Sequence, residues 1–534
     1  MSTSTATPPA VTEGRTYEDA INALNTLQSN ASILAAIRAS GRKLNELSLV
    51  EMRSYLSRIG YCTSDLNPLN LIHISGTKGK GSTCAFISSI LTSHAHLLPA
   101  NRQKVGLYTS PHLRSVRERI RINNEPISRD LFARYFWDVW DRLGHAAEER
   151  GTEDVGGVVR PMYFRFLTLM AFHVFVSEGV GAVVLEVGIG GEFDSTNIVE
   201  QPVCTGVARL GIDHVAVLGD TLGEISWHKA GIFKSGSAAF SATQPDGAIG
   251  VLESRAKERD VLGGEVRWVK EEEVLSPDTK LGLQGGFQRG NAALAVAVAS
   301  EALRVITAGK VDYARTHLGK GGLPELVSKG LRETVWPGRC QVLEDGKLGG
   351  GRLVWCLDGA HTVDSLEVAG RWFAEREGEI SSQQAKGDNG ESGRNRIRIL
   401  LFNQQTRNAT DLLKTLHWTL TATLVSNHPF FTHVIFTTNV TRRTGYSADL
   451  VSNGTSTSDV DNLTVQRALE QEWGVLDSGM EGAKRWVCAS IEEAVEKIRS
   501  VVGKEGVEGV VLCTGSLHLV GGVLEVLDEN GVGQ

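Results

Sequence analysis

The chain has 534 residues, 41% hydrophobic and 22% charged, with a formal net charge of −7. Its length exceeds the roughly 100–200 residues of one domain, so a globular protein of two or more domains is expected. A net negative chain lacks the massed Lys and Arg of a general nucleic-acid-binding surface, so any anionic ligand must be held by local cations.

Residues 1–15, MSTSTATPPAVTEGR, contain no apolar core segment and read as a disordered tail, neither a secretory signal nor a transit peptide. Thr16 then caps a helix with Tyr17, Ile21, Leu24 and Leu27 on one face. LIHIS, 71–75, is a buried-strand pattern, followed by a Gly-rich loop and a helical pattern from Cys84 to Thr92. A helical stretch from Phe164 to Val176 precedes the β-rich runs AVVLEV (182–187) and CTGVARL (204–210). This alternation predicts a parallel-rich sheet covered by helices. After the WPGR turn, 336–339, a second α/β set begins: LVWCLD (353–358), IRILLF (397–402), HVIFTT (433–438) and VVLCTG (510–515). The expected division is a tail at 1–15, a first domain over 16–335 and a second over 336–534. Two polar stretches in the second set, Ser381–Arg394 and Ser452–Asp461, read as surface insertions.

No apolar run reaches the ~20 residues that cross a bilayer. Seven cysteines, at 62, 84, 204, 340, 356, 488 and 513, lack CxxC or Cys/His ligand spacing and read as structural thiols of a reducing compartment.

The strongest motif is GTKGKGST, Gly76–Thr83, between strand and helix. Its glycines let backbone N–H groups curl round phosphate oxygens, the helix N-terminus adds positive charge, and Lys80 reaches the terminal phosphates. The form departs from the common G-x-x-x-x-G-K-[ST] loop, with Ile74 in place of the first Gly and Gly81 in place of the Ser/Thr. Ser82 must then serve phosphate or metal. A Gly/Lys-rich surface turn is the competing reading, and the strand and helix flanks argue against it. Glu186, a charge ending an apolar strand, is the residue-level candidate for a hard cation. Read alone, His214 fits a satisfied core histidine, Lys229 a surface lysine, and the alternating Arg117, Arg119 and Arg121 after Arg114 a solvated strand face.

The loop form GT-x-GKG-[ST] resembles that of Mur ligases and folylpolyglutamate synthases, and the likeness extends from about Tyr17 to Leu527. TSPHL within Gly106–Ser128, LEVGIGGEFDSTN at 185–197, GIDHVAVLGDTLGEISWHKAGIFK at 211–234, WPGR, LDGAHTVDS at 357–365 and TGSLHLVGG at 514–522 are similar to that family's motifs in order. The last three resemble the eukaryotic synthases.

The resemblance implies an N-terminal Mur-ligase-like P-loop ATPase domain and a C-terminal Rossmann-like α/β ligase domain, with ATP between them. It implies ATP contacts from Gly76, Thr77, Lys78, Gly79, Lys80, Gly81 and Ser82, from Gln288 and Asn291, and from Arg339 and Asp358. It implies Mg²⁺, in two sites, on Ser110, Glu186 and His214, a carbamate on Lys229, and an orienting role for His361; a monovalent cation is a further expectation. Two positions depart from the family pattern: Glu192 stands where an Arg is usual after the Gly-Gly turn, and His228 where an acidic or amide residue precedes the lysine. The implied activity is ATP-dependent addition of L-glutamate to the γ-carboxyl of a folate through an acyl phosphate, by a cytoplasmic monomer; a mitochondrial form from another start site is an alternative. Dihydrofolate synthase is the rival within the ligases, and a P-loop switch or motor ATPase the rival outside them. No G-x-G-x-x-G follows a strand of the second half, which argues against a dehydrogenase.

Overall fold

The computed structural model describes residues 15–28, 47–150, 158–313, 322–346, 348, 351–385, 395–405, 408–423, 430–444, 449, 462–477, 482–504 and 507–528. Residues 1–14 of the expected tail, 386–394 and all of Ser452–Asp461 lie outside them. The chain forms two compact units. The second takes the chain from Val335 onward together with the short segments Leu113–Ser115 and Leu283–Gly286, so the units are not contiguous in sequence.

The first unit is built on an eight-stranded sheet of β1 (Leu71–Ser75), β2 (Val105–Tyr108), β3 (Ile120–Ile122), β4 (Glu125–Pro126), β5 (Ala182–Glu186), β6 (Cys204–Val207), β7 (Ala238–Ala242) and β8 (Val266–Val269), in the order β4-β3-β2-β5-β1-β6-β7-β8. Only the β2–β3 and β3–β4 pairs are antiparallel. Every residue of β1, β2, β5 and β6 is buried, as continuous apolar runs covered on both faces must be. β1 lies between β5 and β6, with Ile74 opposite Glu186 and Ser75 opposite Val207. The phosphate-loop motif therefore leaves the middle of the sheet.

The helix that follows, Lys80–Ser93, is buried from Ser82 to Leu91. It packs against the helices Gln288–Ile306 and Glu325–Glu333. The second contact is close because Gly330 has no side chain: a Cβ there would lie 2.7 Å from Ile90 Cα, and Ser89 Oγ donates to the Gly330 carbonyl at 2.8 Å. At the start of the described chain, Thr16 and Asp19 form a capping box on the helix Tyr17–Asn25, whose Tyr17, Ile21 and Leu24 join the core; Leu27 packs on it from beyond the helix end.

The second unit holds β9 (Gln341–Asp345), β10 (Arg352–Leu357), β11 (Asn395–Phe402), β12 (His433–Thr437), β13 (Lys484–Cys488) and β14 (Val507–Thr514), ordered β13-β12-β11-β14-β10-β9 and parallel except for β9. One face packs on Phe373, Leu416 and Trp473, the other on Val495, Ile498 and Leu524, giving a sheet wound with helices on both sides. The polar stretch that begins at Ser381 starts inside a helix, Val363–Ala385. Gln and Ala are good helix formers, so polarity alone did not mark the helix end.

Candidate functional site

The loop after β1 bends at two glycines that no other residue could replace without strain. Gly76 has φ +144°, and a Cβ on it would lie 2.8 Å from Ala208 Cβ; Gly79 has φ +83°, and a Cβ there would lie 2.1 Å from Asn291 Oδ1. Between them the loop is stitched to the segment after β6. Thr77 and Lys78 both donate their N–H to the Arg209 carbonyl at 3.0 Å, and Thr77 Oγ1 donates to the Gly211 carbonyl at 3.0 Å. Lys78 pairs with Asp213 at 3.6 Å, a partner the motif does not name. Gly79 caps the helix Lys80–Ser93, whose first-turn N–H groups and dipole form an anion-attracting end.

Two lysines converge behind this turn. Lys80 Nζ donates to the Gly76 carbonyl at 3.0 Å, and Lys229 Nζ donates to the same oxygen at 2.8 Å. Lys229 is buried, which contradicts its reading as a surface lysine. Burial, and then the charge of Lys80, hold its ammonium well below the ordinary lysine range. It ends the helix Leu222–Lys229, started by a Thr221–Glu224 capping box, and its carbonyl accepts from Ser75 Oγ at 2.8 Å.

Glu186 is buried at the end of β5, and its carboxylate accepts from the Ser110 N–H at 3.0 Å. The residues fit a hard divalent cation: a buried carboxylate and a serine hydroxyl beside a phosphate loop are oxygen donors of the kind Mg²⁺ takes alongside water and phosphate. Among the described residues no group of three or more His, Cys, Asp or Glu side chains converges on one point. His214 is exposed rather than a core residue. It has φ 54°, stands just before the short helix Val215–Leu218, and gives its N–H to Asp213 Oδ1 at 2.9 Å.

Gln288 and Asn291 face the loop from the helix Gln288–Ile306: Gln288 Nε2 donates to Ser82 Oγ at 3.2 Å and Asn291 Nδ2 to Gln288 Oε1 at 2.9 Å. Lys78, Lys80, Ser82, Lys229, Gln288 and Asn291 thus gather around one loop. Arg339, Asp358 and His361 belong to the second unit. There Asp358 is buried and accepts from the N–H groups of Cys340 at 2.8 Å and Ala360 at 2.9 Å. Burial raises its carboxyl from the ordinary value, opposed by Arg339. The His361 ring nitrogen Nδ1 hydrogen-bonds the Gly359 carbonyl at 2.9 Å.

The arginines after TSPHL do not share a strand face. Val116–Arg119 is a 3₁₀ turn, and only Arg121 lies on β3. Arg114 pairs with Asp528, Arg117 donates to the Ile127 carbonyl at 2.9 Å, Arg119 to His112 Nδ1 at 2.9 Å, and Arg121 to the carbonyls of Glu118 and Asn124. The chain must turn before Ile120 to form the β2–β3 hairpin, and that turn overrides the period of two. Glu192 was legible only as a departure; its carboxylate pairs with Arg255 and Arg259, partners that no local pattern names. The seven cysteines are free thiols, six of them buried. Among the described residues no helix is long and apolar enough to cross a membrane.

No protein-family model matches the chain. It is similar in fold to a folylpolyglutamate synthase of Mycobacterium tuberculosis complexed with ADP, with TM-score 0.64 and 21% identity over 95% of this chain and 99% of that one. It is likewise similar to Escherichia coli FolC in complex with DHPP and ADP, with TM-score 0.60 and 20% identity over 95% and 99%. A folylpolyglutamate synthase of Saccharomyces cerevisiae is 47% identical over 520 residues, which cover 97% of this chain and 88% of that protein. On that identity and coverage, the chain belongs to the folylpolyglutamate synthase family.

Proposed function

We propose that the chain adds L-glutamate to the γ-carboxyl of tetrahydrofolate and of folylpolyglutamates at the expense of ATP. The observation that carries the reading is the pair of lysines on the Gly76 carbonyl, two residues beyond Ile74, which lies opposite the buried Glu186 on the neighbouring strand, in a chain of this family. A γ-carboxylate oxygen of the folate attacks the γ-phosphorus of ATP, and the bond to the ADP oxygen breaks. The amine of glutamate then attacks the acyl carbon, the acyl–oxygen bond to phosphate breaks, and the amine gives up a proton. Lys80 stabilises charge on the transferring phosphoryl group, and the loop N–H groups hold the phosphates that stay behind.

Mg²⁺ would supply charge neutralisation; Glu186 and Ser110 would hold one ion, and His214 would be a ligand of a second. Lys229 would serve as a carbamate: its neutral nitrogen attacks carbon dioxide and releases a proton, leaving a buried anion with two acceptor oxygens. Its depressed basicity favours the neutral amine that this step needs. Arg339 and Asp358 take part in nucleotide binding, and His361 has an orienting role beside them in the sequence. Free thiols, six of the seven buried, support the cytoplasmic part of this reading, and a monomer is proposed with it. The test is purified chain with ATP, Mg²⁺, labelled glutamate and a series of pteridine acceptors; ADP release that does not depend on glutamate would instead support an ATPase without ligase activity.

A further inference from the structure

One buried guanidinium joins three segments next to Lys229. Glu192 ends the glycine turn that follows Glu186, and its two carboxylate oxygens pair separately with Arg255 and Arg259 on and after the helix Asp246–Glu258. Its N–H donates to the His228 carbonyl at 2.7 Å, and its own carbonyl accepts from Asn197 Nδ2 at 2.9 Å. Arg255 also donates to both oxygens of Glu258, at 2.6 and 2.7 Å, and lies over the Trp227 ring, 4.4 Å from its centroid. The Arg255 side chain is 3% exposed and that of Glu192 13%.

A guanidinium so far removed from water is stable only with its carboxylates fixed around it. Arg255 therefore sets geometry, which a solvated surface pair does not do. The frame has little slack: a Cβ on Gly191 would lie 2.6 Å from the His228 carbonyl oxygen, and one on Gly231 2.3 Å from Glu192 Cα. Trp227 and His228 are the two residues before Lys229. The Lys229 backbone is thus held from two directions, by Ser75 Oγ on its carbonyl and by the Glu192–Arg255 frame on the residues that precede it.

We propose that Arg255, acting through Glu192 and Trp227, is a positioning residue that sets the reach of Lys229 to the Gly76 carbonyl. The proposal rests on the role given to Lys229 above. A lysine at 255 could not serve, because one ammonium nitrogen cannot occupy both the Nη1 position against Glu258 and the Nη2 position against Glu192, and it has no flat face to lay on the indole. A displacement near 1 Å at a reacting group costs on the order of 10²-fold in rate.

The test uses the full chain, with ¹³C-labelled bicarbonate followed by NMR for a carbamate carbon, and kcat and melting temperature measured on the same samples. Wild type is expected to show a resonance that Lys229→Ala lacks. Arg255→Lys and Glu192→Gln are expected to lower its occupancy and to lower kcat by ~10²-fold. Glu192→Gln keeps the shape of the side chain and removes only its charge, so it keeps the test open if Arg255→Lys fails to fold. Full occupancy and wild-type kcat in Glu192→Gln, or in an Arg255→Lys that folds, overturn the proposal. Absence of the resonance from wild type overturns the carbamate reading alone, and the kcat values of the same variants then decide the positioning role.

Discussion

Lys80 and Lys229 donate to one and the same acceptor, the Gly76 carbonyl oxygen, at 3.0 and 2.8 Å. Two ammonium groups do not share an acceptor comfortably, and burial settles which of them yields: Lys229 is the one driven toward its neutral form, while Lys80 is half-buried at the start of a helix. Lys80, at the start of the helix, is then the lysine proposed to meet phosphate. Lys80→Ala is expected to keep the fold, with an unchanged circular dichroism spectrum, and to lose at least ~10²-fold in kcat. A folded variant with near-normal ligation would refute the phosphate-loop assignment.

Gly79→Ala is expected to be damaging without touching any charge. The new methyl group meets Asn291 Oδ1, and φ +83° costs an alanine roughly 1–2 kcal/mol. A lower melting temperature and weaker ADP binding by calorimetry are the expected results. Unchanged values in both would mean that the loop holds another conformation when nucleotide binds.

The strand, loop and helix around Gly76–Thr83 were legible because every signal in them is local, and Glu186 because a charge at the end of an apolar strand needs a reason. The arginines from 114 to 121 were misread because alternation looks the same on a strand as on a turn that leads into one. Glu192 and Arg255 lie 63 residues apart, and no periodicity connects them; only the fold brings the turn after β5 onto the helix Asp246–Glu258. Lys229 was legible through resemblance alone, since a lysine near a helix end is ordinarily solvated.

Glu186→Gln keeps the shape of the side chain, and its amide oxygen can still accept from the Ser110 N–H at 3.0 Å, but the charge is gone. Magnesium titrations of activity are expected to shift to higher concentration, with melting in metal-free buffer little changed. An identical titration would remove Glu186 from the metal site.

Acid stability offers a check away from the nucleotide. His173, whose side chain is buried, hydrogen-bonds Asp138 through Nε2 at 2.7 Å and Tyr61 through Nδ1 at 2.8 Å. That contact, aided by Arg142 and opposed by burial, lowers the Asp138 carboxyl from 3.8 to about 2. The folded state thus binds fewer protons than the unfolded one between these values. The contribution is fully present above about 4 and is lost as pH falls through about 2. Asp138 is 40% exposed, so screening reduces its size. Asp138→Asn is expected to flatten the fall of melting temperature between about pH 4 and pH 2; an unchanged slope would show that the pair does not couple to folding.

The choice of acceptor is the sharpest test of the activity, because dihydrofolate synthases use the same ATP and metal chemistry. The two reactions differ in the carboxylate that is activated: that of a glutamate tail in one, that of the benzoate of dihydropteroate in the other. The residues that rank them follow β10, where the chain reads Leu357-Asp358-Gly359-Ala360-His361-Thr362, resembling eukaryotic folylpolyglutamate synthases, whereas dihydrofolate synthases usually resemble DGAHN there. Thr362 has a structural task at this point: its N–H donates to Ser365 Oγ at 2.9 Å, and the two hydroxyls are 2.8 Å apart, closing the turn into the helix Val363–Ala385 directly after His361. The His361 N–H donates to the same Ser365 oxygen at 3.1 Å, so the identity of residue 362 bears on how the histidine backbone is held. Tetrahydrofolate and its diglutamate are therefore expected to accept labelled glutamate, and dihydropteroate is not. Thr362→Asn should disturb the turn and lower kcat with tetrahydrofolate without creating dihydropteroate activity, since one turn residue cannot rebuild an acceptor pocket. Robust glutamylation of dihydropteroate by the wild-type chain, with tetrahydrofolate inert, would overturn the acceptor assignment and leave the phosphate loop, Glu186 and Lys229 in their roles.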